Sequence, residues 1–219
     1  MAYSPLPTKS ASDTITLTNW DNIRDDFIAG VPDIYTTKGD LGPATGADVA
    51  ARLGVGADDS ILVADSASNV GMSWQLIPAA RVFNASAIDP ATSTWVSLTF
   101  DSERYDTDAV HTPTGSTQRL TVPTNGAGLY LVGGNVEFAA LDANTGTYGT
   151  RILLNGTTVI AEDFMEHAGN NVVNQNVHTV YSLAATDYVE LQAFTSKDLN
   201  VNATANFSPE FWIQWLRRQ

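Results

Sequence analysis

The sequence predicts an all-β chain, and three observations predict it. Charged residues make up only 16% of the composition, while Thr, Asn, Ala, Val and Gly are plentiful, a mix that suits strands and turns better than helical bundles. From Arg81 onward, runs with a period of two are broken by turn residues at near-regular intervals, the pattern of an antiparallel sandwich. Finally, Gly128–Phe138 (GLYLVGGNVEF) and Phe211–Leu216 carry bulky apolar side chains on both faces of a period-two pattern. A sandwich strand normally has one apolar and one wet face. Two such strands therefore call for a second surface, and the expectation is another copy of the chain.

With 219 residues, the chain is long enough for one ordinary domain plus an extension. Three parts are expected: residues 1–35, 36–78 and 79–219. A net charge of −13 argues against binding nucleic acid, which requires basic stripes to meet phosphates. It equally disfavours anionic membranes. Every acidic residue before position 80 is Asp and all Glu follow, a sign of two differently built halves. Cysteine is absent, so disulfides and thiolate metal sites are excluded. The start, MAYSPLPTKS, has no apolar h-region and no run approaches the length of a membrane span, so synthesis in a cytoplasm without a signal peptide or membrane insertion is expected.

In chain order, residues 1–17 form a Pro/Ser/Thr-rich extended lead. The spacing then predicts a short helix over Thr18–Ala29, capped by Thr18 or Asn19 and stopped by Gly30 and Pro32. Trp20, Ile23 and Phe27 share one face of it. Three turns are marginal alone in water, so that face must dock, on its own domain or on a partner. Residues 36–75 are dense in Gly and Ala, too apolar for a linker and too thin for a core. A segment of this kind gains stability by intertwining with copies of itself.

Four pieces stand in order across this stretch: Thr37 to Leu41 (TKGDL), Ala50 to Ala57 (AARLGVGA), Leu62 to Ser66 (LVADS) and Gly71 to Trp74 (GMSW). They resemble a module common in bacteriophage and prophage structural proteins. The resemblance implies a trimeric virion fibre or appendage protein. Residues 1–35 would then be an attachment segment, with Trp20, Ile23 and Phe27 against a capsid or other virion protein, and 36–78 an intertwined stalk.

In the second half the expected strands are Arg81–Ala85, Trp95–Phe100, Gln118–Val122, Gly128–Phe138, Tyr148–Leu154, Thr157–Glu166, Asn174–Leu183, Tyr188–Ser196 and Glu210–Leu216. Asn155-Gly156 fits the two positive φ angles of a type I′ turn and predicts a tight hairpin. Gly133-Gly134, inside the central strand, would permit a bulge or close approach by a neighbouring backbone. Val82–Phe83, Gly128 to Tyr130, Leu183 to Leu191 (LAATDYVEL) and Phe207 to Trp212 (FSPEFW) together resemble the globular head of the complement-component/tumour-necrosis-factor superfamily. Thr186-Asp187 stands where the pattern has Gly-Asp, and Pro209-Glu210 where it has Gly. This resemblance implies a ten-strand jelly roll and a compact homotrimer. The candidates for its interface are Tyr130, Val132, Phe138, Phe211, Trp212, Ile213 and Trp215, with the buried face of each strand left open.

Signals for chemistry are weak. His111, His167 and His178 lie far apart, outside any metal-ligand or zinc-protease spacing. No nucleophile elbow or phosphate loop occurs, and Gly54–Gly56 reads as a turn. Asp101, Glu103, Asp106 and Asp108 could offer oxygens to Ca²⁺, but the EF-hand pattern is absent and a solvated loop fits better. Glu162 and Glu166 share a strand face; a glycan hydrolase would need them across a cleft. No catalytic, cofactor or metal site is expected. The expectation is a homotrimeric head fibre, spike or capsid decoration protein on a virion, made in the host cytoplasm. Its head would stabilise the particle or adhere to a host surface glycan or receptor, with loops Asp101–Asp108 and Asp142–Tyr148 as contact candidates. The alternative is a tail-fibre or baseplate receptor-binding protein.

Overall fold

A computed structural model describes residues 35–47, 49–140 and 145–218. The helix expected over Thr18–Ala29, with Trp20, Ile23 and Phe27, lies outside them, as does Asp142. Among the described residues the chain is all-β, with fourteen strands and no helix. Every ladder is antiparallel. Two compact units divide between Leu76 and Ile77.

The first unit holds two small ladders. Strand β1 (Ala44–Gly46) pairs with β2 (Val49–Ala50), and β3 (Ile61–Ala64) with β4 (Met72–Gln75). The four motif pieces meet here. Asp40 accepts the Thr36 and Thr37 backbone N–H groups at 2.8 Å each and the Thr37 hydroxyl at 2.7 Å. The same carboxylate takes Arg52 Nε at 2.7 Å. Leu41 and Leu53 exchange backbone hydrogen bonds at 2.9 and 2.8 Å, and the Trp74 indole donates to Gly54 O at 2.7 Å. Leu62 faces Trp74 across the β3–β4 ladder. The motif is thus a set of mutual contacts: a carboxylate capping a turn, an arginine closing it, and an indole tied to a backbone carbonyl. Burial is slight, because Val49, Val55, Ile61 and Leu62 remain exposed.

In the second unit, ten strands form two five-stranded sheets. They are β5 (Ala79–Phe83), β6 (Val96–Ser97), β7 (Ser102–Asp106), β8 (Arg119–Thr121), β9 (Gly128–Phe138), β10 (Thr145–Leu154), β11 (Thr158–Ala168), β12 (Val173–Leu183), β13 (Tyr188–Thr195) and β14 (Glu210–Arg217). One sheet runs β12-β9-β14-β5-β7. The other runs β11-β10-β13-β6, with β8 also on β13. Successive strands change sheet at every step except the β10–β11 hairpin. That hairpin turns at Asn155 and Gly156, both at positive φ (50° and 70°), with Thr157 N–H donating to Leu154 O at 3.2 Å.

The period of two decides the core. Tyr130, Val132, Val136 and Phe138 of β9 point inward with Phe211 and Ile213 of β14; from the other sheet come Tyr148, Ile152, Val189 and Leu191. Phe138 meets Tyr148 edge-on at 5.2 Å between centroids, and Phe100 stacks on Phe211 at 5.8 Å. Each fully buried side chain of this size contributes about 1.5–3 kcal/mol from leaving water. One polar pair lies among them: Thr150 Oγ1 donates to Gln175 Oε1 at 2.9 Å, so neither is left unsatisfied.

Two expectations are corrected. Ser102–Asp106 is an edge strand rather than a loop: Glu103 and Arg104 stay exposed, which suits an edge. The Gly133-Gly134 pair makes no bulge, since β9 keeps register with β12 throughout. Each glycine instead admits a neighbouring side chain. A Cβ at Gly134 would lie 2.6 Å from Leu191 of the opposite sheet, and one at Gly133 2.5 Å from the Trp212 ring.

Candidate interaction surface

The outward face of the β12-β9-β14-β5-β7 sheet is built by register. One row crosses all five strands as His178, Gly133, Trp212, Arg81 and Tyr105. The next runs Val180, Leu131, Gln214 and Ala79. A third places Asn176, Asn135, Glu210 and Phe83 side by side. The large apolar side chains of these rows are Trp212, Leu131 and Phe83, each half-buried, with Val180 and Tyr105 exposed at 51% and 45%. Side chains of this size on a sheet face gain free energy from any surface that covers them.

Beside this band sits a compact charged group. Glu210 points outward yet is 1% exposed, because two arginines cover its carboxylate. Arg81 donates to Oε2, and Arg104 reaches Oε1 through Nε at 3.2 Å and Nη2 at 3.0 Å. The Arg104 guanidinium lies 3.9 Å from the Phe83 ring centroid, which fixes its plane by a cation–π contact. The second sheet's outward face repeats the arrangement. Trp95, Phe164 and Phe194 pack with centroids 5.4–6.0 Å apart, over Gly149, where a Cβ would meet Trp95 at 2.5 Å. Arg151 sits 4.2 Å above the Trp95 ring, and burial pushes its guanidinium pKa down.

Of the seven residues expected at a subunit interface, Tyr130, Val132, Phe138, Phe211 and Ile213 are 0% exposed and Trp215 is 7% exposed inside the chain's own core. They have no surface left to give a partner. Trp212 alone lies on the outward face. Burial raises the pKa of the Tyr130 phenol, helped by the charge of Asp108; its hydroxyl donates to Gly126 O at 2.5 Å. The remaining members of the band, Leu131, Val180, Tyr105 and Arg81, come from four strands. Only Leu131 stood out in the sequence, as the second face of its strand.

The acidic stretch after Phe100 is used in folding. Asp106 accepts the N–H groups of Asp108, Val110 and His111 at 3.2, 3.0 and 2.8 Å. Glu103 lies 2.8 Å from His111 Nδ1. Burial, reinforced by Asp106, raises the pKa of Asp108. Among the described residues no group of three His, Cys, Asp or Glu could hold a metal ion. Glu162 lies 4.0 Å from Arg151, while Glu166 and His178 are exposed. His178 Nδ1 is 3.2 Å from Asn176 Oδ1. No protein-family model matches the chain, and no curated protein matches it.

Proposed function

We propose that the chain is a structural protein of a bacteriophage particle, a homotrimeric head fibre, spike or capsid decoration protein whose second unit is a jelly-roll head. The strand orders β12-β9-β14-β5 and β11-β10-β13-β8, with the chain switching sheets at nearly every connection, support a jelly roll of the complement/tumour-necrosis-factor type. The observation that carries the trimer is the outward band of Trp212, Leu131, Val180 and Tyr105, an apolar surface on a strand set whose other face already fills the core. In the first unit, exposed Val49, Val55, Ile61 and Leu62 support association of copies there too. Linking three heads raises avidity for a repeated surface ligand well beyond one site.

Residues 1–35 attach the trimer to the particle in this reading, through Trp20, Ile23 and Phe27. Immunogold imaging of particles carrying a C-terminal tag tests the assignment. Label over the head supports it; label at the tail tip replaces it with the receptor-binding alternative, and particles without label contradict both.

A further inference from the structure

A cavity of about 220 Å³ opens beside the Glu210 group, between the end of β5, Arg104 of β7 and the loop before β14. It is smaller than the roughly 300–1,000 Å³ pockets that take drug-sized ligands, so its occupant is about the size of one ring. Three polar groups with unused capacity line it. Arg104 commits Nε and Nη2 to Glu210, and its Nη1 has no hydrogen-bond partner among the described residues. Thr204 donates its hydroxyl proton to Glu137 at 2.7 Å, which leaves the oxygen free to accept. Ser208 Oγ accepts the Glu137 N–H at 2.7 Å, so its own proton remains to donate.

A donor, an acceptor and a hydroxyl on residues that line one ring-sized space match the edge of a polyhydroxylated ring. The charge decides between a neutral and an acidic one. The two guanidiniums of Arg81 and Arg104 stand against the carboxylates of Glu210, Glu137 and Asp101, the last bonded to the Ser102 hydroxyl at 2.8 Å and to the Ala85 N–H at 3.3 Å. No positive charge is left over for an anion, and the whole chain carries −13. The geometry points to a binding site for a single neutral sugar residue, such as the end of a surface glycan, with Arg104, Thr204 and Ser208 as its hydrogen-bonding partners. The site belongs to the second unit alone and does not depend on the particle assignment.

Saturation-transfer NMR and calorimetry on the full chain test this, with the methyl glycosides of glucose, galactose, mannose and N-acetylglucosamine, and glucuronic acid as the charged control. At least one neutral glycoside should bind saturably, and at least tenfold tighter than glucuronic acid. Arg104→Gln should weaken it at least tenfold. Ala205→Trp, which fills the cavity from the loop and leaves the Arg–Glu group intact, should abolish it, with melting curves reporting that the variant folds. Absence of saturable binding by all four glycosides overturns the inference. So does glucuronic acid binding as tightly, or binding that survives the substitution in a folded variant.

Discussion

The Trp212 indole occupies the space above Gly133 on the neighbouring strand, so close that a Cβ at Gly133 would fall 2.5 Å from ring carbon Cζ2. The two residues are cross-strand partners, and the missing side chain lets a large ring settle at the centre of the outward face. Gly133→Ala should therefore displace the indole. Overpacking of this kind costs about 1–3 kcal/mol, read as a lower denaturation midpoint together with shifted tryptophan fluorescence. An unchanged midpoint and spectrum would show that the ring does not rest there.

Glu210 offers a second test. Removing one partner of a fully buried ion pair costs about 3–5 kcal/mol. Arg81 and Arg104 keep about a third of their side chains exposed and can turn to water, so Glu210→Ala should cost less, about 2 kcal/mol. Chemical denaturation measures it. A neutral result would mean the carboxylate is incidental to the fold.

Thr186 has φ +68°, a region that costs a β-branched residue roughly 1–2 kcal/mol. Glycine adopts this region without that penalty. Thr186→Gly should relieve much of the strain and raise the melting temperature, although added freedom of the unfolded chain takes back part of the gain. A fall in melting temperature would count against a strained turn.

In the first unit, the Arg52 guanidinium beside Asp40 holds its carboxyl far below the usual carboxylate range, with the Thr37 hydroxyl and the Thr36 and Thr37 N–H groups helping. The folded pKa is depressed, so the stabilisation is present above the unfolded value, about 3.9, and is lost only as pH falls through the lower folded value. Carboxyl-carbon NMR should find Asp40 still ionised at pH 3 and returned toward its ordinary value in Arg52→Gln. Ordinary titration in the unsubstituted chain would contradict the contact.

The bounds of Gly128–Phe138 were legible because a long alternation marks one strand, but with apolar residues on both faces its inward side was not, and Tyr130, Val132 and Phe138 were expected at a subunit interface. The Asn155-Gly156 hairpin was legible because its turn chemistry is local. Ser102–Asp106 was not, because an edge strand rich in charge looks like a loop until Arg81 pairs with Tyr105 across the ladder. The Arg81–Glu210–Arg104 group joins residues more than a hundred positions apart, beyond any local pattern. Phe211–Leu216 shows a further limit: with aromatic and aliphatic residues on both faces, period alone cannot say which face is core. The structure turns Phe211 and Ile213 inward and leaves Trp212 outside.

In the proposed trimer, copies of the chain cover this outward face. The mass of the purified full-length protein at micromolar concentration, from light scattering or native mass spectrometry, tests it most directly. The expected value is three times the chain mass of 23.4 kDa, with a shift toward monomer in Trp212→Arg. A stable species of 23.4 kDa in the unsubstituted protein would contradict it.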